Sequence, residues 1–116
     1  MRIDLPFPDR CLWPNGGAKT HYRKLARLKK SHKEWAWKGA KAARPPTLGD
    51  GPIRVRLIVH AKPKGPLPDR DNCIAAMKAY QDGIAEAIGI DDKHFQEPSV
   101  SFAEPRNGRF VIVIGE

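Results

Sequence analysis

The chain has 116 residues, 41% hydrophobic and 29% charged, with 21 Lys/Arg against 13 Asp/Glu and a net charge of +8. This length sets a single domain as the expectation, and the composition excludes full disorder. No apolar run reaches the roughly 18 residues of a membrane span, so no transmembrane helix is expected. The start Met1-Arg2-Ile3-Asp4-Leu5-Pro6 lacks an apolar signal core. Cys11 and Cys73 stand far apart with no CxxC pair. This excludes a zinc ribbon or disulfide scaffold and fits a reduced, cytoplasmic protein.

Ile3 to Phe7 alternates apolar and polar residues and ends at prolines, which predicts a short strand. Pro14-Asn15-Gly16-Gly17 reads as a turn or loop. From His21 to Ala43 no proline intervenes, and Leu25, Leu28, Trp35 and Ala36 form a partial helical stripe. A helix is expected there, broken near Gly39 and packed through Leu25, Leu28 and Trp35, with Arg44-Pro45-Pro46 as its stop. Ile53 to His60 predicts a strand with Ile53, Val55, Leu57 and Val59 on one face and Arg54 and Arg56 on the other.

Asp71 to Ile88 reads as one amphipathic helix. Ile74, Met77, Tyr80, Ile84, Ala87 and Ile88 lie on one side, with Asp71 as N-cap and Gly89-Ile90 as a Schellman-type ending. Ser99 to Ala103 alternates, Arg109 to Ile114 is apolar on both faces, and Pro105-Arg106-Asn107-Gly108 between them signals a hairpin. The order β-α-β-α-β-β predicts a small single α+β domain with helices packed on a mixed sheet.

Charge is unevenly spread. Between Lys19 and Arg44 ten Lys/Arg face one acid, Glu34, a local +9, while the rest of the chain carries 11 basic and 12 acidic residues, a local −1. Polyanions are the natural partner of such a segment, nucleic acid before a membrane surface, because each neutralised phosphate releases counterions. A solvated helix face is the plain structural alternative.

Within this basic background acids are grouped. Asp69-Arg70-Asp71-Asn72 opens the second helix and Asp91-Asp92 follows its end. In extended chain Asp69 and Asp71 point the same way and can share one cation, and their oxygens suit Mg²⁺ or Mn²⁺. An 18-residue helix spans roughly 27 Å, so a site shared with Asp91-Asp92 requires the chain to fold back or a second molecule to contribute. Lys78 lies seven residues after Asp71, within about 20° of the same helical face. Taken singly, these residues also have ordinary readings: helix caps, a solvated turn and a surface lysine. His21, His32, His60 and His94 show no ligand spacing to one another. Trp13 beside Asn15 is a candidate for wedging into nucleic acid, Trp35 is expected in the core, and Cys73 is a packed thiol.

In order, Asp69-Arg70-Asp71-Asn72, Lys78, Asp82-Gly83-Ile84 and Asp91-Asp92 resemble the RusA family of Holliday junction resolvases, common on prophages. Leu5-Pro6-Phe7-Pro8, the Asn15 loop, the basic helix and the closing strands fit the same pattern. The resemblance implies an endodeoxyribonuclease that cuts four-way DNA junctions in recombination and repair, as a homodimer. It implies Mg²⁺, with Mn²⁺ as a substitute, and no nucleotide cofactor. The family's metal-binding aspartates fall on Asp69, Asp71 and Asp92, and its catalytic lysine on Lys78. Many members carry that lysine three residues after the asparagine, where this chain has Ala75; here it comes six after. Lys19, Arg23, Lys24, Arg27, Lys30, Lys33 and Arg70 are the expected DNA contacts, gripping phosphates. The alternative from another class is a non-catalytic DNA-binding protein, regulatory or architectural, whose aspartates only cap helices.

Overall fold

Strand β1 (Arg2–Pro6) buries Ile3 and Leu5 on one face and leaves Arg2, Asp4 and Pro6 exposed, the period-two pattern of a strand with one covered side. The computed structural model describes residues 1–17, 20–49 and 51–115, so Lys19 lies outside the described residues. After β1 a 3₁₀ turn (Arg10–Leu12) is opened by Asp9, whose carboxylate accepts from the Cys11 N–H at 2.9 Å. A single helical turn, α1 (Pro14–Gly17), then occupies the segment expected to be a loop. Proline at the first helical position costs no intrahelical bond there.

Helix α2 (Tyr22–Ala42) runs unbroken through Gly39, against the expected break. A Cβ at Gly39 would sit 2.9 Å from the Ile3 side chain, so its glycine marks the close approach of α2 to β1. The buried stripe of α2 is His32, Ala36 and Ala40, rather than Leu25, Leu28 and Trp35. Leu25 and Leu28 are only half-buried, and Trp35 is 43% exposed, its ring tilted against His32 at 4.5 Å. Small residues win this face because a second helix lies close against it.

Strand β2 (Val55–His60) follows, with Val55, Leu57 and Val59 buried on the predicted face. Ile53 stays outside the strand in an isolated parallel bridge with Phe95. The expected helix from Asp71 to Ile88 is two helices, α3 (Arg70–Ala76) and α4 (Lys78–Ile88), divided at Met77. The N-cap is Asp69 and not Asp71: the Asp69 carboxylate accepts from the Asp71 N–H at 2.8 Å. Because Asp69 is extended and Asp71 helical, the two do not form the parallel pair of an extended strand. Nor does Lys78 project above Asp71 on one continuous helix. The Schellman ending of α4 is present, with Gly89 at φ 72° and the Ile90 N–H donating to Ala85 at 3.0 Å.

A 3₁₀ turn (Asp92–His94), β3 (Ser99–Phe102) and β4 (Arg109–Ile114) complete the chain. The sheet is mixed, in the order β1-β4-β2-β3, with β4 antiparallel to both β1 and β2 and β3 parallel to β2. The expected β3–β4 hairpin is therefore absent, because β2 lies between them. β4 is central, which explains why Val111 and Val113 as well as Phe110, Ile112 and Ile114 are buried.

The described elements make a small α+β domain in which α2 and α4 cover one face of the sheet. Its core joins Ala36, Ala40, Met77, Tyr80 and Ile84 of the helical layer to Ile3, Leu57, Phe110 and Ile112 of the sheet. Tyr80 is fully buried and its hydroxyl donates to the Pro6 carbonyl at 2.8 Å, fastening α4 to the end of β1. At Gly83 a Cβ would meet the Lys33 carbonyl oxygen at 2.2 Å, so only glycine admits the α2–α4 approach. No described helix is long and apolar enough to cross a membrane.

Candidate functional site

The acidic groups sit on loops and helix ends. Asp69 caps α3, with Asp71 in its first turn, and both are exposed. Between them Arg70 donates to the Val100 carbonyl at 2.6 Å and lies over the Phe102 ring at 5.8 Å. The arginine expected to touch DNA thus also ties α3 to the edge strand β3. At the far end, the Asp91 carboxylate accepts from the Lys93 N–H at 3.0 Å. That bond holds Asp91 below the usual carboxylate range.

Asp92 reaches Lys78, its carboxylate accepting from the ammonium at 3.3 Å. Lys78 is the first residue of α4 and Asp92 follows the end of that helix, so the chain does turn back along α4. The turn is made by the left-handed Gly89. Asp82, one turn into α4 from Lys78, is half-buried. Burial raises its carboxyl above the ordinary value, against the pull of Lys78 and with the push of Asp92; Lys33 and Lys29 oppose the rise more weakly. Lys33 pairs with Glu86 at 2.8 Å, which raises the lysine.

Of these side chains Lys33, Lys78 and Asp82 border a groove of about 560 Å³ between the Cys11–Pro14 segment, α2 and the α3–α4 junction. Lys29, Lys30, Lys33, Lys78 and Asp82 line it together with Leu12, Trp13, Leu25, Ala75, Ala76 and Ala79. A second recess of about 660 Å³ shares Cys11 and Trp13 and adds Arg10, Asn15, His21 and Lys24. Trp13 stands where the two meet. Its ring stacks on Phe7 at 5.1 Å and meets Phe110 edge-on at 5.8 Å, while its indole N–H donates to Pro8 at 3.1 Å. The residue singled out as a wedge is thus a half-buried, firmly held wall.

Of the basic residues expected to hold DNA, Lys30 and Lys33 line the groove and Lys24 the recess. Arg23 leans on the Tyr22 ring at 5.8 Å, and Arg27 is exposed on α2. Lys29 was not among the expected DNA contacts, and Asp82 entered only as part of the motif that carries the resemblance, with no role assigned. Both carried a signal: Lys29 is four residues from Lys33 and Asp82 four from Lys78, spacings that put each pair on one helical face. Asp69, Asp71 and Asp92 are not brought together. Among the described residues no group of three or more His, Cys, Asp or Glu is placed to hold a metal ion.

No known family profile matches the chain. An uncharacterized protein of Xylella fastidiosa (strain Temecula1 / ATCC 700964) is 36% identical to it over 116 residues, covering 97% of this chain and 74% of that protein. The chain belongs to the same family as that protein. At this coverage the match takes in both the lysine groove and the acidic helix ends.

Proposed function

We propose that the chain is a Mg²⁺-dependent, structure-selective endodeoxyribonuclease that resolves four-way DNA junctions as a homodimer, in the manner of the RusA family it resembles. The Lys78–Asp92 pair carries this reading: it returns Asp92 to the first residue of α4, beside a groove where lysines outnumber carboxylates. A site of that kind offers phosphate-neutralising charge next to oxygen donors.

The donor chemistry of Asp69, Asp71 and Asp92 suits a hard divalent cation. Their arrangement in this structure is not a three-ligand site, so the ion is supported by donor type and by resemblance. When bound, such an ion lowers the pKa of a coordinated water and offsets phosphate charge. The chain's own contribution is electrostatic. Lys29 and Lys30 hold backbone phosphates, and Lys78, once drawn from Asp92 by a closer anion, offsets charge on the cleaved phosphodiester. Two such sites related by a two-fold axis would meet opposed strands of a junction, which is the reason for the dimer.

A mobile four-way junction incubated with the protein and Mg²⁺ or Mn²⁺ tests the reading. Paired nicks are expected, with Asp71→Asn abolishing them while binding persists or tightens, since one negative charge facing phosphate is removed. Junctions that stay intact while bound would establish the second reading, a non-catalytic DNA-binding protein. The use of the Asp69 carboxylate as an ordinary helix cap favours that reading.

A further inference from the structure

The groove between Trp13 and Lys78 has a composition that a regular duplex leaves half unused. Its lining combines the lysines Lys29, Lys30, Lys33 and Lys78 with apolar residues that include Trp13, Leu25 and Ala75. Paired DNA turns only phosphates and base edges outward, so the lysines would be satisfied and the apolar wall would not. An unpaired nucleotide offers both an anionic backbone and a flat apolar ring. The volume, about 560 Å³, lies within the roughly 300–1,000 Å³ of sites for small organic molecules. The wall is pre-formed, because Trp13 is held by Phe7, Phe110 and the Pro8 carbonyl. Asp82, the one carboxylate among the described residues of the lining, sets a limit to the anionic charge the groove can take.

We propose that this groove binds a single unpaired nucleotide displaced from the duplex at a branch or bulge, its base against the Trp13–Ala75 wall and its flanking phosphates against Lys29, Lys30 and Lys78. The proposal takes its polymer, DNA, from the nuclease reading and adds the conformation of the strand that is recognised. Displacement costs least where pairing is already broken, so the groove converts a general affinity for DNA into a preference for distorted sites.

Fluorescence anisotropy tests it, with the full chain in EDTA and two fluorescein-labelled duplexes of equal length, one fully paired and one carrying a single-thymine bulge. The bulged duplex is expected to bind at least about fivefold tighter, the low end of the gain from stacking one base. Ala75 is exposed, so Ala75→Trp fills the groove without entering the core. It should remove the preference for the bulged duplex while the circular dichroism spectrum and melting temperature stay those of the parent. Equal affinity of the unsubstituted protein for both duplexes, or a preference that survives Ala75→Trp, would overturn the proposal, as would binding to neither. Junction cleavage is read separately. A bulge preference without cleavage sinks the nuclease reading alone, and cleavage without the preference sinks only the groove proposal.

Discussion

Replacing Gly83 by alanine sets two effects of known sign against each other. In an isolated helix the change is favourable by about 1 kcal/mol, since alanine loses less backbone freedom than glycine. In this fold the new Cβ would lie 2.2 Å from the Lys33 carbonyl oxygen and 3.0 Å from its carbon. Ordinary contact begins at 3.4 Å, so the helices must part by about 1.2 Å along that line. The obstacle is main chain of a 21-residue helix and cannot rotate aside. Overpacking of this kind costs about 1–3 kcal/mol. With the upper end appropriate for a backbone clash, the net loss is about 2 kcal/mol. Unfolding entropy of about 2.1 cal/mol/K per residue makes 1 kcal/mol worth about 4 °C in a chain of this length. Thermal melting by circular dichroism should therefore show Gly83→Ala about 8 °C below the parent. Gly49→Ala, where nothing lies within 4 Å, should stay within about 2 °C of the parent. A Gly83→Ala protein that melts at or above the parent temperature would refute the close α2–α4 approach.

Two further outcomes follow from buried groups. Tyr80→Phe leaves the Pro6 carbonyl without its hydroxyl donor and should lower the melting temperature by about 4 °C, for roughly 1 kcal/mol per hydrogen bond; an unchanged melting point would show that the bond contributes nothing. His32 is buried with Nδ1 2.8 Å from the Leu28 carbonyl and Nε2 accepting from the Asp9 N–H at 3.1 Å, among Trp35, Tyr80 and the Asp9 carboxylate. The carbonyl can only accept, so Nδ1 carries the proton. Burial lowers the pKa of His32 from its ordinary 6.5. Below pH 6.5 the unfolded chain therefore binds a proton that the folded one resists, and stability should fall as pH drops from 7 towards 5. The His32→Gln protein should show a shallower fall, and parallel pH profiles would contradict a folded state that keeps His32 neutral.

Much of the fold was legible in local patterns. The alternation in Val55–His60, the two-faced apolar run of Arg109–Ile114 and the Gly89-Ile90 ending all appear where their residues indicate. What was not legible depended on partners distant in sequence. Trp35 belongs to the apolar stripe by spacing, yet α4 lies so close that Ala36 and Ala40 take the face and the indole is displaced outward. The turn residues at Pro105–Gly108 signal a reversal, but nothing local reveals that β2 will insert between β3 and β4. At the candidate site, the groups of acids and the basic helix were visible as composition. The pairing of Asp92 with Lys78 and the entry of Asp82 into the lysine groove depend on the turn at Gly89 and the break at Met77. The break has no sequence mark, since no proline or glycine stands there.

The place of β4 in the sheet has a consequence for how the chain acquires its structure. Arg2 pairs with Val113, and β2 too takes its antiparallel neighbour from β4. The first strand must therefore wait for more than a hundred residues to leave the ribosome before it has a partner. Until then β1 has no strand partner, and closing so long a loop is slow. Completion of the sheet is consequently a late event, since β1 and β2 both take their antiparallel neighbour from β4.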